Sequence, residues 1–344
     1  MAEGFEVEYI EPNPLPPGFD DRGLRRRLVG VAGVVVVVGL IAAFAPGLGE
    51  LRDRLRDASP GWLLFAVALE VLSCLSYVLM FRPVFCPRMS RRTAYELAMS
   101  ELAVGSLVPA SGAAGLAFGA WALRRGGMPG GEIARRSVAF FLLKSGANFV
   151  AVVGVGLAMW LGVGPHLSPL LTLLPAALAA ASIVAVVVVG RRLRGGGLRW
   201  HERALVAVAD GTREAGRILR RGDWRVIAGS LGYWAFDNAV LWATLHAFGE
   251  SPAVTIVLMG YLIGQLGGLL PLPGGLGGID GGLLGTLIVY GLPAAAVAAA
   301  ILAYRVVLFW IPLILGGPAF LSLRRGLNDP DRPDICDPFA RMAA

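Results

Sequence analysis

Little in this 344-residue chain suits soluble catalysis. Its three histidines, His166, His201 and His246, are too scattered to make a metal cluster. Its three cysteines, Cys74, Cys86 and Cys336, show no paired spacing, so neither a disulfide framework nor a zinc site is expected. No Gly-x-x-x-x-Gly-Lys-Ser/Thr loop, His-Glu-x-x-His pair or Gly-x-Ser-x-Gly elbow occurs. The expectation is a protein without cofactor, metal or enzyme activity. Lysine is all but missing, Lys144 being the only one. Charge as a whole is scarce, at 16% of residues against 56% hydrophobic, and it is confined to gaps between long apolar runs. Several of those runs approach the roughly 20 residues that a bilayer span needs. The class is therefore an all-α integral membrane protein, with no nucleic-acid partner expected.

Clean spans read at 28–45, 61–81, 137–162, 169–190, 225–248 and 294–320. Before them, residues 1–24 are acidic and rich in proline (Pro12, Pro14, Pro16, Pro17), the composition of a disordered tail. Arg25 to Arg27 and the apolar run behind them superficially imitate a signal peptide. The long acidic leader and the length of the run favour an uncleaved first span. Arginine placement orients the chain. Both termini, including a disordered tail over 326–344, are expected in the cytoplasm of a bacterial plasma membrane. So is the loop 191–224, whose stripe of Leu205, Val208, Thr212, Ala215 and Leu219 reads either as an amphipathic helix on an anionic leaflet or as a solvated basic loop. Glu250 is expected outside.

Between the spans lie two broken segments, at 95–123 and 253–291, that share one pattern. Pro109, Gly112 and Gly115 form Pro-x-x-Gly-x-x-Gly in the first, and Pro271, Gly274 and Gly277 repeat it in the second. Proline and clustered glycine end a helix, and backbone freed at membrane depth must be buried in protein or line a cavity. Each segment reads as a re-entrant pair of half-helices or a short hairpin. Arginines flank the first on both sides, so it enters from the cytoplasm; the second enters from outside. Such a pair makes an inverted-topology repeat and marks the binding site of a transporter.

Six ionisable residues fall within apolar runs: Glu70, Glu101, Lys144, Asp237, Asp280 and Arg305. Charges at that depth are expensive and mark function by default. Lys144 follows Gly115 by 29 residues and Arg305 follows Gly277 by 28, the spacing of symmetry mates. Two cations approached by helix N-termini would make an anion site suited to a phosphate headgroup. Glu101 is expected to pair with Lys144, and Asp280 to pair with Arg305 or cap its half-helix. The competing reading makes these structural ion pairs. Asp237 and Glu70 are weaker candidates, explained by snorkelling or capping. Trp62, Trp121, Trp160 and Trp224 read as interfacial anchors.

The run Pro271-Leu-Pro-Gly-Gly-Leu-Gly-Gly-Ile-Asp280, with Tyr304-Arg305 and the closing 312–317 segment, resembles the lysylphosphatidylglycerol synthase transmembrane family. That family includes the flippase domain of the bacterial multiple peptide resistance factor. The likeness covers most of residues 25–325. It implies a domain that translocates or handles lipid, with Pro271, Pro273, Gly274, Gly275, Gly277, Asp280 and Arg305 at the motif positions. Asp280 stands where the family usually carries glutamate, and the first copy is degenerate at Ala110-Ser111. Too few residues follow the last span for the soluble aminoacyl-transferase domain, so synthase activity is not expected.

Three functions compete. The leading one is a flippase-like carrier for an anionic phospholipid or lipid-linked headgroup. A solute or ion secondary carrier would use the same cavity without a lateral opening for acyl chains. A non-transporting scaffold would present its basic loop to a cell-envelope enzyme.

Overall fold

The computed structural model describes residues 30, 49–107, 113–165, 168–192, 200–266, 278–327 and 335–336. Among the described residues there is no strand, only helices. They are α1 (Gly49–Arg56), α2 (Pro60–Phe85), α3 (Arg91–Leu107), α4 (Ala113–Arg125), α5 (Gly130–Trp160) and α6 (Pro169–Arg192). After these come α7 (Trp200–Arg220), α8 (Trp224–Ala247), α9 (Val254–Leu266), α10 (Gly278–Val289) and α11 (Ala294–Leu327). Four of them, α2, α5, α6 and α11, are long and apolar enough to cross a bilayer. The fifth expected span appears as α8, whose 24 residues reach about 36 Å but carry Asp237 and Asn238. The first expected span, apart from residue 30, lies outside the described residues, as does His166.

Two copies of one unit build the bundle. Helices α2–α5 follow the order long, short, short, long, and α8–α11 repeat it. Local chemistry repeats too. Gly127 and Gly291 end the second short helix of each unit at φ 90° and 93°. There the Met128 and Leu292 N–H groups donate back to the carbonyls of Leu123 (3.0 Å) and Leu287 (3.1 Å), a Schellman stop that favours glycine. Pro129 and Pro293 then lead into the long helix that follows. Each hairpin also closes through glycine: Gly105 meets Gly115 between α3 and α4, and Gly264 meets Gly282 between α9 and α10. Packing between units is reciprocal, with α3 against α11 matched by α9 against α5, and α2 against α8 lying on the axis of exchange.

The units are inverted. The Ser59 N–H, before α2, donates to the Ala247 carbonyl at the end of α8 (2.9 Å). At the other end, Pro83 and Pro87 line one recess with Trp224 and Arg225. Helices α2 and α8 are therefore antiparallel. The α3–α4 hairpin opens and closes at the end where Arg125 donates to Leu327 (3.2 Å) and Arg92 pairs with Glu96 (2.9 Å). The α9–α10 hairpin opens and closes at the opposite end, where Gly164, past α5, abuts Thr255 and Tyr290 donates to Leu171 (3.2 Å). At 1.5 Å per residue the four hairpin arms are about 18–26 Å long, against a hydrocarbon core of about 30 Å.

Two apolar clusters fill the bundle. One gathers Phe81, Phe85 and Phe140 near the basic end; the other gathers Leu241, Leu245, Met259 and Val297 near the opposite end. Three local expectations need revision. Helix α7 does not stand apart as a leaflet helix or a solvated loop. It packs on α5 and α6, burying Ala209, Ala215 and Ile218 and leaving Leu205 and Leu219 exposed. The stripe of hydrophobic residues was rotated because Gly211 and Glu214 also face the bundle, Gly211 against Val138 and Glu214 toward Arg135 (3.4 Å). The C-terminal tail, expected to be disordered, places Ile335 in the core: its N–H donates to the Gly126 carbonyl (2.9 Å). Trp121, expected as an interfacial anchor, packs against the first apolar cluster.

Candidate functional site

A polar seam lies where the two apolar clusters meet, for Tyr77 belongs to one and Leu69 and Tyr304 to the other. The residues that compose it sit near the middle of the long helices: Glu70 on α2, Lys144 on α5 and Asp237 on α8. Glu70 and Asp237 are buried, only 5% and 7% exposed, and Lys144 is half-buried.

The seam can be followed residue by residue. On α3, Glu101 Oε1 accepts from the Tyr77 hydroxyl at 2.7 Å. Its other oxygen occupies space that Gly119 leaves free, since a Cβ there would approach Oε2 to 2.4 Å. The Lys144 ammonium lies 5.7 Å from the Tyr77 ring and 5.6 Å from the Tyr233 ring, in cation–π range of both. Glu101 and Asp237 both act on it electrostatically. Asp237 Oδ1 accepts from Tyr304 at 3.1 Å, and its Oδ2 accepts a short bond from Tyr261. Arg305, next to Tyr304, also acts on Asp237 and makes a direct pair with Asp280, Nε to Oδ1 at 2.5 Å. Asp237 is thus the common neighbour of both cations.

Of the residues singled out in the sequence, Lys144, Arg305, Asp280 and Glu101 all belong to this seam. Arg305 takes Asp280 as partner, one of the two roles foreseen for that carboxylate. Glu101 does not pair directly with Lys144; Tyr77 stands between, because its hydroxyl is the donor nearest the carboxylate. Gly115 lies at the hairpin crossing, packed on the Glu101 backbone. Pro109, Gly112, Pro271, Pro273, Gly274, Gly275 and Gly277 lie outside the described residues.

Sequence reasoning ranked Asp237 too low and passed over Tyr77, Tyr233 and Tyr261. A signal existed for Asp237: it recurs at mid-span depth with a neighbouring amide, Asn238, which snorkelling does not explain. Nothing in one sequence marks a tyrosine in an apolar helix as polar-facing rather than interfacial.

Chemically, the seam presents one ammonium and one guanidinium around a carboxylate, with tyrosine hydroxyls as donors. No group of three metal-ligating side chains occurs among the described residues. Glu101, Asp237 and Asp280 each hold a hydrogen-bond or ion-pair partner within it.

Comparison with known proteins gives a consistent result. The family model described as the lysylphosphatidylglycerol synthase TM region matches residues 29–316. Two matches are to UPF0104 membrane proteins of the archaeon Methanothermobacter thermautotrophicus. One is 28% identical over 354 residues, covering 92% of this chain and 95% of the relative. The other is 23% identical over 316 residues, covering 83% and 92%.

Proposed function

The chain belongs to the lysylphosphatidylglycerol synthase transmembrane family, and from that membership we propose that it binds an anionic phospholipid or lipid-linked headgroup and carries it across the plasma membrane. The observation that carries this reading is that both cations flank one turn of α8 at mid-bundle: Lys144 lies 5.6 Å from the Tyr233 ring, and Arg305 follows the Tyr304 that donates to Asp237, between hairpins that enter from opposite ends. Uncompensated cations at that depth are costly, so an anion that draws Arg305 from Asp280 and Lys144 from the Tyr77 and Tyr233 rings replaces one set of charge contacts by another. Arg305 supplies a planar, bidentate donor and Lys144 a point charge, together fitting a phosphate's tetrahedral oxygens.

Inversion of the two units supports alternating access, with the site exposed first to one leaflet and then to the other. The orientation in this reading puts the arginine-rich end, with the C-terminus and α7, in the cytoplasm. Exposed apolar side chains along α5 and α6, including Val150, Leu157, Leu174 and Val184, form a surface compatible with the bilayer.

Reconstitution of the full chain in vesicles with fluorescent phosphatidylglycerol, read by quenching from outside, tests the reading. Protein-dependent exchange between leaflets supports it, and exchange no faster than in empty vesicles rejects it. Single-cysteine labelling of sealed cells tests the orientation: position 250 should react from outside and position 210 should not.

A further inference from the structure

Glu70 belongs to the same seam, and among the described residues it is a buried carboxylate that makes no ion pair. It is 5% exposed, its Oε2 receives no hydrogen bond, and its Oε1 is met only by the Cys74 thiol at 3.6 Å. Helix register sets it opposite another acid. Ser73 on α2 donates to the Tyr233 carbonyl on α8, and Gly232 packs on Ser76. In an antiparallel pair, one turn back from Ser73 is Glu70 and one turn on from Tyr233 is Asp237. The two carboxylates accordingly face each other across the axis relating the two units, and they interact electrostatically.

Every charge around this pair can be named. From α3 comes Glu101, from α5 Lys144, from α10 Asp280 and from α11 Arg305; the tyrosines of α8, α9 and α11 are neutral donors. Four carboxylates therefore face two cations in a low-dielectric seam. Asp280 engages Arg305, and Asp237 accepts hydrogen bonds from two tyrosines. Glu70 alone has neither a cationic partner nor a strong donor. Two facing carboxylates without a cation between them do not both stay ionised.

We propose that Glu70, held opposite Asp237 at the centre of the bundle, carries an exchangeable proton, and that this proton is the coupling ion for movement of an anionic headgroup. The coupling half of this inference rests on the carrier reading above; the proton site does not. An anion arriving beside Lys144 and Arg305 adds negative charge to the same seam and so tightens the hold on the proton, while release of the anion loosens it. Linkage requires the effect to be mutual, so anion and proton bind and cross together.

Infrared difference spectroscopy of the purified full chain reads the site without any substrate. At neutral pH a carbonyl stretch of a protonated carboxylic acid in an apolar setting is expected, shifting on transfer to deuterated water. Glu70→Gln should remove it and Glu132→Gln should leave it. A band undiminished in Glu70→Gln, or one that depends on replacing choline by sodium, overturns the proton site. Should Glu70→Gln not fold, Asp237→Asn serves: loss of the facing charge should move the band's titration to lower pH, and an unmoved midpoint overturns the site equally. For coupling, vesicles with fluorescent phosphatidylglycerol and clamped voltage are given a pH gradient. Wild-type exchange should follow the gradient, and Glu70→Gln should abolish that dependence; Glu70→Gln exchange that still follows the gradient overturns coupling. Wild-type exchange indifferent to the gradient overturns coupling. No wild-type exchange at all, with the Glu70 band present, removes the lipid reading and leaves the proton site standing.

Discussion

Tyr304 donates its hydroxyl to Asp237 across 3.1 Å, and the next residue along α11 is Arg305, which acts on the same carboxylate. One turn of α11 therefore supplies Asp237 with both a hydrogen bond and a countercharge. Tyr261 on α9 adds a second hydroxyl, so three helices meet on one carboxylate. The seam is a structural junction as well as a site.

Removing one of those hydroxyls has a measurable effect on stability. A hydrogen bond to a charged acceptor contributes about 1.5–3 kcal/mol, against roughly 1 kcal/mol for a neutral one. Tyr304→Phe and Tyr261→Phe should each lower the melting temperature in detergent by more than Tyr290→Phe, whose hydroxyl meets only the Leu171 carbonyl. Equal shifts for all three variants would show that Asp237 is not the ionised acceptor described.

The hairpin crossing gives a prediction of opposite signs at two glycines. A Cβ on Gly115 would lie 2.5 Å from the Glu101 carbonyl oxygen, while one on Gly146 meets nothing within 4 Å. Gly115→Ala should destabilise by about 1–3 kcal/mol through overpacking. Gly146→Ala should stabilise by up to about 1 kcal/mol, as expected where alanine replaces glycine in a helix. Thermal unfolding of both variants in the same detergent checks the pair, and a neutral Gly115→Ala would mean that α3 and α4 do not cross as closely as described.

Much of this was legible in the sequence, for definite reasons. The two Pro-x-x-Gly-x-x-Gly segments announced the repeat, because helix ends carry local signals that survive any tertiary context. Arginine bias gave the inversion, which the antiparallel α2–α8 pair displays. The seam was read in part: Lys144, Arg305, Asp280 and Glu101 stood out because charge in an apolar run is rare. Partner choice was not legible. Whether Glu101 meets Lys144 or Tyr77 depends on how α2, α3 and α5 come together, and the line of Glu70, Ser73 and Tyr77 along α2 does not say which helix it faces. Helix α7 shows the converse failure: a clear stripe misplaced the buried face, since glycine and glutamate pack there too. The docking of Ile335 at Gly126 left no mark in composition at all.

That docking is testable through the cysteines. The Cys86 thiol lies 3.4 Å from the Cys336 backbone carbonyl oxygen, and its hydrogen bonding with Cys336, aided by the Met89 and Arg88 backbone and by Arg136, lowers it from the usual thiol range to about 7. A lowered value makes the thiolate abundant above pH 7 and lost below it. Mild oxidation at pH 8 should join Cys86 to Cys336, seen as a shift in electrophoretic mobility, and at pH 6 the reaction should slow several-fold. Cys74→Ser should change nothing. No crosslink at either pH would mean that the tail does not dock at this face.

The central claim is that Lys144 and Arg305 serve one anion. Binding of short-chain phosphatidylglycerol to the detergent-solubilised protein, measured by calorimetry for wild type, Lys144→Met, Arg305→Met and the double variant, tests it most directly. Independent sites give additive losses, whereas groups that share a ligand do not. Each single variant should weaken binding by at least tenfold, about 1.4 kcal/mol, and the double variant should fall well short of the summed loss, while Arg213→Met stays near wild type. Additive losses, or a single variant that binds like wild type, would contradict a shared site and leave the seam as structural ion pairs.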